Sequence, residues 1–256
     1  GSEARIVDKS QWLLRLGNES AGKCKMGFSH SFDGGSNVDG FWITTATDIT
    51  IGAWNHVVVV YDRDSASNNP TMYVNGSSVG VTESATPDST ATSDASSTLY
   101  IGNESGGSKT FDGIINEVAM WSSALTLAEV VAIFNDGVAL DVSSDSGNYE
   151  SSGDLVAYWR NDGISSWEDR SDNSNTGTPA GSPVTALLPE GTTAGKDILG
   201  FPLTHTNNGW LNLSGLEYVV ASKSSVFDFG TGSFTFEGWM KRDGNPSANE
   251  MICMMG

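Results

Sequence analysis

Short runs rich in β-branched and aromatic residues recur along this chain, each bounded by Gly, Ser, Thr, Asn or Asp. With 30 glycines among 256 residues, turns punctuate the sequence throughout. That rhythm constrains the fold more than any other feature. Many short strands at regular spacing, with turn signals between them, build a sandwich or barrel. Strands are expected at Trp12–Leu16, Cys24–Ser29, Phe41–Thr45, His56–Asp62, Thr71–Val74, Ser78–Val81, Thr98–Ile101 and Ile114–Trp121. A second set is expected at Leu155–Trp159, Gly209–Leu213, Glu217–Ala221, Ser233–Lys241 and Met251–Met255.

Local signals refine this pattern. Asn75-Gly76 between Met72-Tyr73-Val74 and Ser78-Val79 marks a two-residue hairpin, because both residues accept positive φ. His56–Tyr61 is apolar on both faces, as a central strand requires. Residues 83–97, rich in Ser, Thr, Ala and Asp, read as a long exposed loop. One helix is well specified, over Thr126–Asn135. Thr126 and Glu129 make a capping box, Leu125 and Val130 a hydrophobic staple, and Gly137 the stop. Residues 139–153 read as a linker. Residues 161–208 read as long loops with at most one short strand.

Charge narrows the partners. The net charge is −18, from 31 acidic and 13 basic residues, which argues against a nucleic-acid footprint or docking on anionic lipid. No apolar run approaches a membrane span, and no signal peptide is visible. Gly1-Ser2 fits an expression scar. Cys24 and Cys253 form neither a disulfide framework nor a zinc pattern and read as buried strand thiols.

Several segments together resemble one family. Ile51–Asp62 followed by Met72–Gly76 looks like the centre of a laminin G-like or pentraxin-like domain, of the concanavalin A-like lectin/glucanase superfamily. Phe111–Trp121 with Ala124–Glu129 resembles that family's last strand and terminal helix. Leu155–Arg160 resembles its first strand, and Phe227–Trp239 its early sheet. The resemblance implies an all-β, two-sheet antiparallel jelly-roll sandwich with one short helix. It also implies a permuted order: residues 1–138 carry the second half of the sandwich, 139–153 the linker, and 154–256 the first half. In the family pattern Met251–Met255 hairpins into Trp12–Leu16. Three arrangements follow. The chain closes on itself, forms one period of a tandem array, or completes a neighbour head to tail, since open half-sandwiches expose unpaired edges. The second half is also similar in style to bacteriophage virion and tail-fibre proteins, which implies an extracellular or virion-surface setting.

Candidate chemistry is sparse. The two-carboxylate strand motif of the superfamily's glycoside hydrolases is absent, and Glu117 and Glu237 stand isolated in their strands. Glu168-Asp169 is adjacent and loop-borne. His30, His56 and His205 are scattered. Gly17–Ser20 and Gly102–Ser105 lack nucleophile-elbow spacing and read as turns. The chain is therefore expected not to be an enzyme. Resemblance to pentraxins implies a Ca²⁺ site at one sandwich edge, here Asp8 with Asn103 and Glu104. Asp62 and Asp64 are a second acidic cluster, read as a strand-end turn. Of eight tryptophans, Trp12, Trp54, Trp121, Trp159 and Trp239 read as packing, Trp42 and Trp210 are less fixed by pattern, and Trp167 is the expected loop aromatic for stacking on a glycan. Two functions follow. One is a structural or assembly module of a virion, tail fibre or extracellular filament, self-associating through strand exchange. The other is a lectin-like adhesion module binding a polysaccharide, with or without Ca²⁺.

Overall fold

The computed structural model describes residues 4–9, 11–33, 39–160, 167–181, 184–187, 209–213, 218–222, 225–230, 232–242 and 253–255. Its strands are β1 (Ala4–Asp8), β2 (Trp12–Ser20), β3 (Lys23–His30), β4 (Gly40–Thr44), β5 (Ile49–Thr50), β6 (Trp54–Asp62), β7 (Thr71–Val74), β8 (Ser77–Val79), β9 (Val81–Ala85), β10 (Leu99–Ile101) and β11 (Gly113–Trp121). Helix α1 (Leu127–Phe134) follows. Then come β12 (Leu155–Trp159), β13 (Gly177–Ala180), β14 (Val184–Leu187), β15 (Gly209–Leu213), β16 (Tyr218–Ala221), β17 (Ser233–Arg242) and β18 (Cys253–Met255).

Two antiparallel sheets face each other. The first runs β18-β10-β1-β2-β3-β4-β9, with β5 beside β3. The second runs β14-β15-β11-β17-β6-β7-β8, with β12 beside β11. Strands β13 and β16 form a separate pair. This is the sandwich the turn spacing and strand patterns imply.

Alternation decides which residues enter the core. In β2 the buried residues are Trp12, Leu14 and Leu16, each two apart. They meet Met26, Phe28 and Trp42 on their own sheet and Val59, Tyr61, Phe234 and Phe236 on the other. Phe28 lies 5.2 Å from Tyr61 and 5.9 Å from Trp42, and Trp12 lies 5.0 Å from Phe234, between ring centroids. Strand β11 is buried on both faces along its whole length. Its outward residues Ala119 and Trp121 pack beneath α1 and the linker, with Val130, Ile133, Val142 and Tyr149.

Strands from both chain segments share each sheet. Strand β17, late in sequence, lies between β6 and β11, with Phe236 opposite Val59 on one side and Met120 on the other. The linker is packed rather than free. Tyr149 is fully buried, donates its hydroxyl to the Val142 carbonyl at 2.9 Å, and accepts from Trp121 Nε1 at 2.9 Å.

The helix starts as the capping residues require. Thr126 Oγ1 accepts from the Glu129 backbone at 3.3 Å, and Glu129 Oε2 accepts from the Thr126 backbone at 2.8 Å. Its left-handed exit begins at Asn135, with φ of 46°, two residues before Gly137.

Three expectations need correction. Cys253–Met255 pairs with Leu99–Ile101, and β1 rather than β18 takes the edge of β2. The turn through Lys9–Gln11 joins β1 to β2 locally, so that pairing forms with little loop-closure entropy. Residues 251–252 lie outside the described set. Residues 161–208 hold β13 and β14, and isolated bridges join Trp159 to Asp169 and Trp167 to Gly177. Pro179 within β13 hid the strand pattern, and among the described residues β13 pairs only with β16. The loop 83–97 is not wholly exposed: it opens as β9 on β4, and Asp94 is fully buried.

Removing the Tyr149 hydroxyl leaves Trp121 Nε1 and the Val142 carbonyl buried without their partner. Tyr149→Phe should therefore destabilise the fold by about 1–3 kcal/mol in urea melts. Unchanged stability would show that the linker is held by packing alone.

Candidate functional site

The outer face of the first sheet carries a groove. On β2, β3 and β4 the register aligns Arg15, Gly27 and Ile43 in one row and Leu13, Ser29 and Phe41 in the next. Their neighbours along each strand point into the core, so this row faces outward and stays half-buried, apart from Gly27, which is buried beneath its neighbours. Gly27 lacks a side chain. A Cβ there would stand 3.0 Å from the Phe41 ring and 3.3 Å from Arg15 Cγ. Arg15 lays its guanidinium 4.0 Å over the Phe41 ring. The result is a groove of about 130 Å³ lined by Arg15, Gly17, Asn18, Gly27, Phe41 and Ile43. Lys25 sits at its rim, across from Gly17, with Nζ on the Thr45 carbonyl at 2.7 Å. Apolar surface beside amide and guanidinium donors can hold the C–H face of a sugar ring and its hydroxyls together.

Two of the three expected calcium ligands, Asn103 and Glu104, are engaged within their own loop. Asn103 is fully buried and organises its own loop: its Nδ2 donates to Thr110 Oγ1 at 2.7 Å, and its Oδ1 accepts from the backbones of Glu104 at 2.9 Å and Lys109 at 3.1 Å. Glu104 Oε1 accepts from the Ser108 hydroxyl. Asp8 pairs in register with Tyr100, three residues before Asn103, and its side chain lies outside the described set. Ca²⁺ needs six to eight oxygens converging at roughly 2.3–2.6 Å. Among the described residues, no group of three or more His, Cys, Asp or Glu could hold a metal ion.

Trp167 is not a stacking platform. It is fully buried in the main core, with its Cβ against the space above Gly177. The bridge to Gly177 pulls it inward, and that pairing lay in the stretch read as loop. Trp42 is equally buried, and its Nε1 donates to Asn69 Oδ1 at 2.5 Å. The side chain of Trp210 and residue His205 lie outside the described set.

Two acids read as isolated are brought together. Glu117 and Glu237 stand on adjacent strands β11 and β17, where a bulge in β11 falls between Asn116 and Ala119. Both lie on the face covered by α1 and the linker, and both are buried. Glu117 sits in the bulge at φ of 51°, a strained angle for a side-chain-bearing residue. It accepts from the Tyr158 hydroxyl and from Arg160 Nε at 3.3 Å, and Arg160 reaches Asp141 at 2.7 Å. Glu237 Oε2 is 3.2 Å from His56 Nε2. Burial pushes the Glu117 carboxyl up to about 7 against the opposing pull of Arg160, and burial also raises Glu237. The sequence signal was a lone acid inside each of two apolar strands; the bulge that aligns them left no trace in the pattern.

The family model Laminin_G_3, of the concanavalin A-like lectin/glucanases superfamily, matches residues 1–131. The chain belongs to this family. No curated protein and no solved structure matches it. Residues 1–131 contain β1 to β11, including every residue lining the groove and the first acid, Glu117. Membership supports a lectin-like or structural module at most.

A raised Glu117 means the folded state binds an extra proton between the ordinary carboxyl value of 4.5 and about 7. Stability from this group is present below 4.5 and lost as pH rises through 7. Glu117→Gln should flatten that slope, removing roughly 2–3 kcal/mol of pH dependence in chemical melts run from pH 4 to pH 8. An identical slope in the variant would place the titration elsewhere.

Proposed function

We propose that this chain is a non-catalytic carbohydrate-binding module that holds a polysaccharide in the Arg15–Phe41 groove. The observation that carries this reading is the guanidinium stacked on Phe41 above a floor with no side chain. A sugar can lie against the side chains that cover this floor, with Ile43 and Phe41 against its C–H face and Asn18 and Arg15 toward its hydroxyls. Positive charge in the groove, on a chain of net charge −18, also favours acidic sugars over neutral ones. Such a module suits an extracellular or virion-surface setting.

The sealed Glu117–Glu237 pair supports a non-catalytic role, since a general acid must reach the bond it protonates. Packing of the linker under α1 favours a self-contained unit over exchange of halves between subunits. Strand β12 follows this packed linker directly and pairs with β11, which leaves little free chain to reach a neighbouring subunit.

Affinity electrophoresis against a panel of neutral and acidic polysaccharides tests the reading. Retention should occur on at least one gel, and Phe41→Ala and Arg15→Ala should each weaken it about tenfold or more while the fold persists. Binding that survives both variants would move the site. Absence of retention on every gel, with light scattering showing mass growing with concentration, would instead favour an assembly module of a virion, tail fibre or filament.

A further inference from the structure

Lys9 turns inward just after β1, toward the core. Its Nζ is fully buried, 2.9 Å from Asp94 Oδ2, and donates to the Phe227 carbonyl. The Phe227 and Phe229 rings lie 5.5 and 5.7 Å from the nitrogen. Asp94 is buried as completely. Its Oδ2 also accepts from Trp12 Nε1 at 2.9 Å, and its Oδ1 from Arg63 at 3.3 Å. An amine and a carboxyl group are thus held in contact inside an aromatic, water-poor pocket.

We propose that Lys9 and Asp94 join in an intramolecular amide cross-link. In bulk water, solvent drives such amides back toward acid and amine. Here solvent is excluded, and fixed contact replaces a chance encounter, an advantage worth up to about 10⁵–10⁸ M in effective concentration. Condensation also removes a buried ion pair, which is expensive to keep charged.

The step balances without any co-reactant. Lys9 Nζ attacks Asp94 Cγ, a C–N bond forms, and the C–Oδ2 bond breaks. The two protons shed by the ammonium leave on Oδ2 as one water. No atom changes oxidation state. Arg63 stands on Oδ1, where negative charge develops in the tetrahedral intermediate, and the Trp12 N–H stands on the departing oxygen. Burial lowers the Lys9 amine to about 8, so the nucleophilic neutral form is accessible near neutral pH. Asp228, between the two phenylalanines in sequence, acts electrostatically on the same amine and favours its charged form.

Intact mass of the folded, purified chain decides the matter. The expected mass is lower than the sequence mass by one water, and a protease digest should yield one branched peptide containing Lys9 and Asp94. Asp94→Asn should lose ammonia in place of water, because the same attack then expels an amide nitrogen. A wild-type chain at its full sequence mass overturns the proposal. So does a water deficit that persists in Lys9→Met, which would trace the loss to another residue. The wild-type reading stands even where a variant fails to fold.

Discussion

The ladder that seats β17 between β6 and β11 is the interaction on which the rest depends. Most of its residues are committed twice, as Phe236 is to Val59 and to Met120. A slip of one residue would turn Phe234, Phe236 and Met240 outward and drive Thr235 and Glu237 into the core. The register therefore fixes both faces of the second sheet at once. It sets the inter-sheet packing that holds the first sheet in place, and the outer face that receives α1.

That outer face has an unusual content. Glu117, Glu237 and His56 lie in a layer otherwise built from Val58, Ala119, Trp121 and Val130. Buried polar groups of this kind are strongly destabilising if left half-satisfied. Here Tyr158 and Arg160 answer Glu117, and His56 answers Glu237. Through Arg160 and Asp141 the network also ties β11 to the linker.

Much of this was legible in sequence. Apolar and aromatic runs between turn residues placed β2, β3, β4, β6 and β17 within a residue or two at their starts, and the capping box placed α1. What these runs could not show was pairing at a distance. Asp94 looked like loop surface because its neighbours are polar, and its partners Lys9 and Arg63 lie far off in the chain. Trp167 looked like a loop aromatic because β13 carries a proline. Asn103 and Glu104 looked like ligands because oxygen-rich turns and cation sites share residue types. Only geometry reveals that the Asn103 oxygen already accepts two backbone N–H groups. The groove itself had no sequence signature, since it arises from a glycine flanked on neighbouring strands by an arginine and, one row along, a phenylalanine.

That glycine has a consequence for how the surface could change. The floor at Gly27 is main chain, whose shape does not depend on which residue occupies it, while the walls are side chains. Depth is thus controlled at one position and chemistry at others. A lineage could close the groove with one small substitution on β3, or retune its walls from β2 and β4 while the sheet beneath stays the same. Selectivity and foldability are written in different residues.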